Sequence, residues 1–309
     1  MRDSPTEMGS GLRLVDKIFS KSDRTVKFVF LSNGQVIEFS YIDKQDGKDI
    51  ICAPTQTACK LGCKFCFLSD YDFAVRNLAP EEITDGVQYI VRNLKLLERE
   101  GRNDVLLVSY MGCGEPLCNV INLMYACESI RVEFASLYRV VRFAVASLIP
   151  TPSRMRRFIS EVHCRKLPVK FHLSLHSPFD ACRSEMMPGA SPVQDSVDLV
   201  RAFTTTSGNA AEIHYALIAN VNDRDEDVAE LMRLLKGSGI SIKFLAYNEK
   251  PSIDFKPSER VAEIRTALER EGITTEFYNP PGSDIGSSCG QFLMDYYVKY
   301  NTKPLVRRS

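Results

Sequence analysis

An α/β fold of parallel βαβ units, curled into a partial (β/α)6 barrel behind a short N-terminal β-hairpin extension, follows from three observations. Strand-like and helix-like runs alternate from about residue 80 to residue 279, a pattern that yields parallel strands covered by helices. Counting a strand at the cysteine-rich loop gives about six units, fewer than a complete eight-fold barrel needs. Ahead of them, TVKFVFL (25–31) and VIEFSYI (36–42) flank Ser32-Asn33-Gly34, and Asn-Gly between such apolar, β-branched runs marks a hairpin.

Each element carries its own signal. Pro80 opens a helix to Glu98, with acidic residues in its first turn and Ile83, Val87, Ile90, Val91, Leu94 and Leu97 at helical spacing. DVLLVSY (104–110) is a buried strand, Val120 to Leu137 a helix and VVRFAVA (140–146) a strand. Pro152 to Cys164, Ser191 to Ser207, Asp223 to Lys236 and Pro257 to Glu271 are helices, separated by strands at 169–175, 211–218 and 240–247. TTEFYN (274–279) adds a strand, and a last helix is expected over Gly286 to Tyr297. The expected organisation is therefore a β-rich extension (1–51), a catalytic barrel (52–297) and a basic tail (298–309).

Composition narrows the class. The 309 residues include 44% hydrophobic and 25% charged residues, ordinary for a globular chain. Apolar runs are too short for a membrane span, and residues Met1 to Ser10 lack the apolar core of a secretory signal. Ten cysteines in such a chain point to metal or catalysis in a reducing cytoplasm rather than to disulfides. Net charge is zero, but Arg139, Arg142, Arg154, Arg156, Arg157, Arg165, Lys166 and Lys170 cluster against Glu161 alone. With Lys299, Lys303, Arg307 and Arg308 at the C-terminus, they form either a phosphate-contacting face or a solvated helix surface.

The chemistry concentrates in the cysteines. Cys59, Cys63 and Cys66 read C-x3-C-x2-C. A 4Fe–4S cluster normally takes four thiolates, so three leave one iron open to a cofactor. A zinc knuckle would need a fourth Cys or His close by, and His163 is the nearest downstream. Met111-Gly112-Cys113-Gly114-Glu115-Pro116 follows a strand at the end where ligands bind in such sheets. Its glycines admit close backbone approach, and Glu115 can accept from an amine. Ser174-Leu175-His176 and Asn248 end two further strands at the same mouth. Cys52 stands seven residues before the triplet, and Cys289 lies in Ser287-Ser288-Cys289-Gly290-Gln291. Brought together, these two could form a transient disulfide that frees an attached product.

The C-x3-C-x2-C loop resembles that of the radical S-adenosylmethionine (SAM) superfamily, and the chain from about Thr25 to Met294 is similar to the RlmN/Cfr family of radical SAM RNA adenine methyltransferases. The residues that carry the likeness are Cys52 with Gln56 before the triplet, Arg76-Asn77-Leu78, Met111 to Pro116 with Asn119, Ser174 to Pro178, Asn220-Val221-Asn222-Asp223, Asn248, Asp284-Ile285 and Cys289-Gly290-Gln291. The resemblance implies a radical SAM barrel with one 4Fe–4S cluster on Cys59, Cys63 and Cys66. It implies SAM, two per turnover, near Gly114, Glu115, Ser147, Ser174, Leu175, His176 and Asn248. It further implies an electron donor such as flavodoxin or ferredoxin, and a ribosomal or transfer RNA substrate.

The implied reaction has two stages. Cys289 takes a methyl group from one SAM. A second SAM, bound to the cluster, is reductively cleaved, and its 5′-deoxyadenosyl radical takes a hydrogen atom from the methylated Cys289. The carbon radical adds to adenine C2 or C8, Glu38 removes the ring proton, and Cys52 attacks the sulfur of Cys289 to free the product. Glu38 alternates with Ile37 and Phe39 and reads equally as the wet face of a strand. The chain departs from the family in three ways. It begins near the catalytic core and is expected to be a shortened form without the helical N-terminal domain. The family's Ser-Thr-Ser-Gly segment is absent: its first Ser falls on Ala144, and Ser147 is the nearest hydroxyl. Cys113 and Cys118 stand where apolar residues are usual. The alternatives are the same chemistry on a peptide or small molecule, or a non-catalytic iron–sulfur RNA-binding relative.

Overall fold

The structure, a computed structural model, describes residues 8–291. Ten strands form a single sheet in chain order among these residues. The first three, β1 (Arg13–Phe19), β2 (Thr25–Ser32) and β3 (Gln35–Asp43), are antiparallel. Asn33 and Gly34 both take positive φ, the geometry of a two-residue hairpin turn, and pair Ser32 with Gln35 across it.

The strand β4 (Lys48–Cys52) is antiparallel to β3 and parallel to β5 (Val105–Tyr110). From β4 onward the pairing is parallel through β6 (Val140–Ser147), β7 (Val169–Ser174), β8 (Ala211–Ala216), β9 (Ser241–Leu245) and β10 (Thr275–Tyr278). The sheet is thus continuous from the hairpin into the barrel. The alternation read from the sequence holds, with the cysteine loop following β4 rather than containing a strand.

Seven α-helices cover the outer face among the described residues: α1 (Pro80–Asn93), α2 (Val120–Phe134), α3 (Pro152–Arg165), α4 (Asp180–Met186), α5 (Val193–Ser207), α6 (Asp225–Leu235) and α7 (Val261–Arg270). Their ends follow local chemistry. The Glu82 carboxylate accepts from the Ala79 amide at 2.9 Å and caps α1. Lys166 and Gly208 end α3 and α5 in left-handed conformations. Only α4 has no counterpart in the sequence reading. Its seven residues are too few to show a helical period. The expected last helix is not formed over 286–291, which make turns; its remainder and the basic tail lie outside the described residues.

The core lies between sheet and helices. Phe28, Phe30 and Phe39 pack edge-on or stacked against one another and Tyr89 of α1. Helix and strand approach so closely that a Cβ on Gly86 would lie 2.3 Å from the Phe39 ring. The inner face is different. Alternate positions there are polar: Lys27, Glu38 and Ser40, then Cys52, Ser109, Lys170, His172, His214 and Lys243 line the cavity the sheet encloses. Near its open edge, Lys44 in the turn between β3 and β4 reaches over the Tyr278 ring of β10, 3.7 Å from its centre.

Candidate active site

The cysteine loop follows β4 directly. Cys59, Cys63 and Cys66 are unpaired thiols, each half-buried, and all three face one cavity of about 190 Å³. Burial pushes Cys59 up to about 12, with its neighbours Cys66 and Glu115 adding to the rise, and raises Cys63 and Cys66 as well. Such thiols stay protonated unless positive charge arrives, which is the environment a cluster's irons would supply. Lys250 holds the loop. Its ammonium donates to the Lys64 carbonyl at 2.9 Å, the Cys66 carbonyl at 3.1 Å and Ser69 Oγ at 2.6 Å, and pairs with Asp70 at 2.8 Å.

The opposite wall of that cavity is the Gly114–Glu115 turn after β5. Gly114 has φ +105, and a Cβ there would meet Gln56 at 2.7 Å; glycine is required by conformation and by space. Gln56 Oε1 accepts from the Glu115 amide at 2.8 Å, and its amide nitrogen donates to Asn77 at 2.8 Å. The Glu115 carboxylate accepts from Leu117 N at 2.8 Å and from Leu148 N at 3.4 Å. Burial nonetheless pushes this carboxyl up to about 7. A buried carboxylate facing a cavity, short of positive charge, suits an ammonium ligand.

Ser147, Ser174, His176 and Asn248 join the same cavity wall. Ser147 Oγ accepts from Ile149 N at 2.8 Å and also bonds Glu115. His176 has positive φ, and its Nδ1 accepts from Ala216 N at 2.9 Å. Burial lowers its imidazole to about 3, which keeps it neutral. Asn248 is tied elsewhere: its amide donates to Ser288 Oγ and to the Cys289 carbonyl, both at 2.9 Å. Leu175 stands apart from the others, its side chain fully buried in the core.

Cys289 lies on a segment pinned across the N-terminal hairpin. Asp284 accepts from Ser20 Oγ and Lys21 N, both at 2.8 Å; Asp23 accepts from Gly282 N at 2.7 Å; Ser40 and Ser287 hydroxyls meet at 2.9 Å. Phe67 N donates to the Gly290 carbonyl at 3.0 Å, which joins this segment to the cysteine loop. Cys289 thus lines both the small cavity and a larger one of about 850 Å³ inside the barrel. The larger one holds Cys52 and Glu38. The two cavities meet at Met111, Gly112, His214 and Cys289.

Residues missed by sequence reading complete the site. Lys27 is only 1% exposed. It donates to the Gly286 carbonyl at 2.6 Å and to Glu38 Oε2 at 3.2 Å, so it links the expected base to the Cys289 segment. The strand register sets Lys27 opposite Ser40 and Ser40 opposite Cys52. Burial pushes the Cys52 thiol up to about 12, Cys289 raises it further, and Lys27 opposes both. A lysine amid the apolar TVKFVFL run was the available signal. Arg183, fully buried, donates to the Ser191 carbonyl at 2.9 Å, to those of Ser174 and Leu148 at 2.8 Å, and to that of Leu175. It ties the ends of β6 and β7 together from α4, and nothing local announces that reach.

A parallel partial barrel with a cysteine triplet after its first strand and a glycine–carboxylate turn after its second defines a radical SAM enzyme. The radical SAM methyltransferase structure from Sphaerobacter thermophilus is 27% identical and superposes with a TM-score of 0.79, over 91% of this chain and 80% of that one. A solved structure titled native anSMEcpe with bound AdoMet, 14% identical with a TM-score of 0.50, shares the fold. No family model matches. The chain is 32% identical over 301 residues to the probable dual-specificity RNA methyltransferase RlmN of Desulforamulus reducens, covering 95% of this chain and 81% of that protein. It is also 32% identical to the dual-specificity RNA methyltransferase RlmN of Anaeromyxobacter dehalogenans, over 87% of this chain and 72% of the relative. The chain belongs to the RlmN family and is a radical SAM methyltransferase.

Proposed function

We propose that this protein methylates a ring carbon, C2 or C8, of an adenine in ribosomal or transfer RNA, with Cys289 as methyl carrier. The observation that supports it best is the position of Cys289 at the junction of two cavities. The cysteine triplet and Glu115 lie on one side, and Cys52 with Glu38 on the other. A carrier group belongs at such a junction.

The residues fit the expected cofactors. Three half-buried thiols would hold a 4Fe–4S cluster, one per chain. Glu115 would take the amine end of SAM, with Ser147, Ser174, His176 and Asn248 around it and the Leu175 backbone beside them. The bound cofactors supply the methyl group and the radical chemistry that an electron-poor adenine carbon requires, with two SAM per turnover and an electron donor such as flavodoxin or ferredoxin.

The chain's own residues do the rest. Cys289 loses its thiol proton and gains a methyl group on Sγ. Asn248, bonded to the Cys289 carbonyl, and the Ser40–Ser287 contact hold that backbone segment at the junction. Glu38, ion-paired with Lys27, takes the proton from the adenine carbon once the new C–C bond exists, and the odd electron left on the ring passes back to the one-electron carrier. Cys52 then attacks Sγ of Cys289 as its thiol proton leaves: an S–S bond forms, the bond from sulfur to the new methyl carbon breaks, and that carbon takes a proton. External thiols reduce the disulfide before the next turn.

The test is mass spectrometry of Cys289 after anaerobic expression, together with nucleoside analysis of host RNA. Methyl-Cys289 and a new methyladenosine are expected. Cys289→Ala should abolish methylation, and Cys52→Ala should accumulate protein covalently bound to RNA. Unmodified Cys289 with an intact cluster and no methyladenosine would overturn the assignment; full turnover by Cys52→Ala would remove the resolution step.

A further inference from the structure

The barrel cavity does not end at Cys52. Its lining continues to Lys48 and Val105, the first residues of β4 and β5, and to Val169, the first of β7. Lys48 lies four residues below Cys52, or about 13 Å along the strand. Arg142 pairs with Leu107, two residues below the level of Cys52 and Ser109, or about 7 Å. The cavity is thus a shaft through the barrel, with Cys289 at its head.

Charge is unevenly placed on this shaft. The chain has no net charge. The lining has six cationic side chains, Lys27, Lys44, Lys48, Arg142, Lys170 and Lys243, against Glu38, Asp46 and Glu276. At the head, Lys27 and Glu38 offset each other. Lower down, Asp46 pairs with Lys48 at 2.8 Å and Glu276 with Lys243 at 3.1 Å, so the surplus that remains is smaller and includes the exposed Arg142.

Its anchor is Glu212, which is buried behind the wall. Its carboxylate pairs with Lys170 and, at 2.7 Å, with Lys243, while His172 Nδ1 lies 2.9 Å and His214 Nε2 3.3 Å away. One carboxylate thus fixes two ammonium groups and leaves excess positive charge facing the cavity. His172 and His214, both held neutral by burial, add polarity without charge. The ligand atoms of His172, Glu212 and His214 lie within 4.8 Å of one another, yet two ammonium groups already occupy the carboxylate, so a cation is poorly served there. An anion is well served.

We propose that the lower mouth of the barrel, lined by Lys48, Arg142, Lys170 and Lys243, seats the phosphodiester backbone of the RNA while the target nucleotide passes up the shaft to Cys289. This rests on the RNA assignment above. Single-stranded RNA fits because a flexible strand can present one base inward and its flanking phosphates at the rim. The SAM-side cavity opens at the other strand ends, so the two ligands do not compete for one entrance.

The experiment measures binding of an adenine-containing single-stranded oligoribonucleotide by fluorescence anisotropy across salt concentrations. The double variant Lys48→Ala/Arg142→Ala removes two rim cations, the exposed Arg142 and the half-buried Lys48 that pairs with Asp46. It should lose at least tenfold in affinity, and its log–log salt slope should shrink by about 1.4. Arg156→Ala/Arg157→Ala, on the outer surface of α3, should match wild type. The reverse pattern, with the α3 pair carrying the slope and the rim pair silent, overturns the proposal. Methyladenosine analysis of wild type runs alongside. Methylation with a silent rim removes this proposal and leaves the function standing; rim-dependent binding without methylation does the opposite. Circular dichroism of both variants checks that they fold.

Discussion

Burial leaves the Glu115 carboxyl near the middle of the working pH range, at about 7, and the sign of its effect is fixed. An ammonium ligand favours the ionised form, so below about pH 7 the site must give up a proton to bind. SAM affinity should fall as pH drops through 7, approaching tenfold per unit. Glu115→Gln should bind weakly and lack this dependence, as calorimetric titration from pH 6 to 8.5 of the cluster-loaded protein will show. Lys27 gives the companion case. Lys27→Met leaves the buried Glu38 carboxyl without its cation, and breaking a buried pair in this way costs about 3–5 kcal/mol when uncompensated. Methyladenosine formation should fall at least a hundredfold, with Lys27→Arg recovering part of it. Methylation of Cys289, which occurs on the other side of the junction, should persist in both variants; its loss would assign Lys27 to folding alone.

At the scale of elements, helix α1 and strand β3 pack at the limit of contact. Gly86→Ala improves helix propensity by about 1 kcal/mol, yet its Cβ would lie 2.3 Å from the Phe39 ring. Overpacking of that kind costs about 1–3 kcal/mol, so the variant should melt lower than wild type in a thermal scan. The contrast shows what local sequence conveys. The Asn33-Gly34 turn, the strand–helix alternation and the glycines before Glu115 are legible because each is set by its own neighbours. Arg183 and Lys250 are not, because their partners are backbone carbonyls brought near by folding. Asn248 is half legible: its strand-end position was read correctly, but its bonds to Ser288 and the Cys289 carbonyl depend on a segment 40 and 41 residues away.

For the whole molecule, the division between core and chemistry has a measurable effect. The main apolar core runs between sheet and helices and does not include the three cysteines of the loop, which pack instead against two smaller buried clusters. The loop is held by Lys250 and the Phe67–Gly290 bond as well. Chelation of iron should therefore leave the far-ultraviolet circular dichroism unchanged and the thermal midpoint shifted by only a few degrees, while proteolysis between residues 59 and 70 accelerates. Cooperative unfolding on chelation would show that the cluster is a structural keystone. The three thiols and Cys289 were readable as a chemical set from spacing and resemblance. The polar shaft beneath them was not, because inward-facing alternation becomes visible only once the strand register is known.

The clasp between the N-terminal hairpin and the Cys289 segment also bears on synthesis. Lys27 finds the Gly286 carbonyl across 259 residues, and Ser20 finds Asp284 across 264. A ribosome releases the hairpin first, so it must wait for nearly the entire barrel to emerge before its partner arrives. Until then Cys52, Glu38 and Cys289 are never together. The larger cavity is therefore completed late, as one of the last acts of assembly.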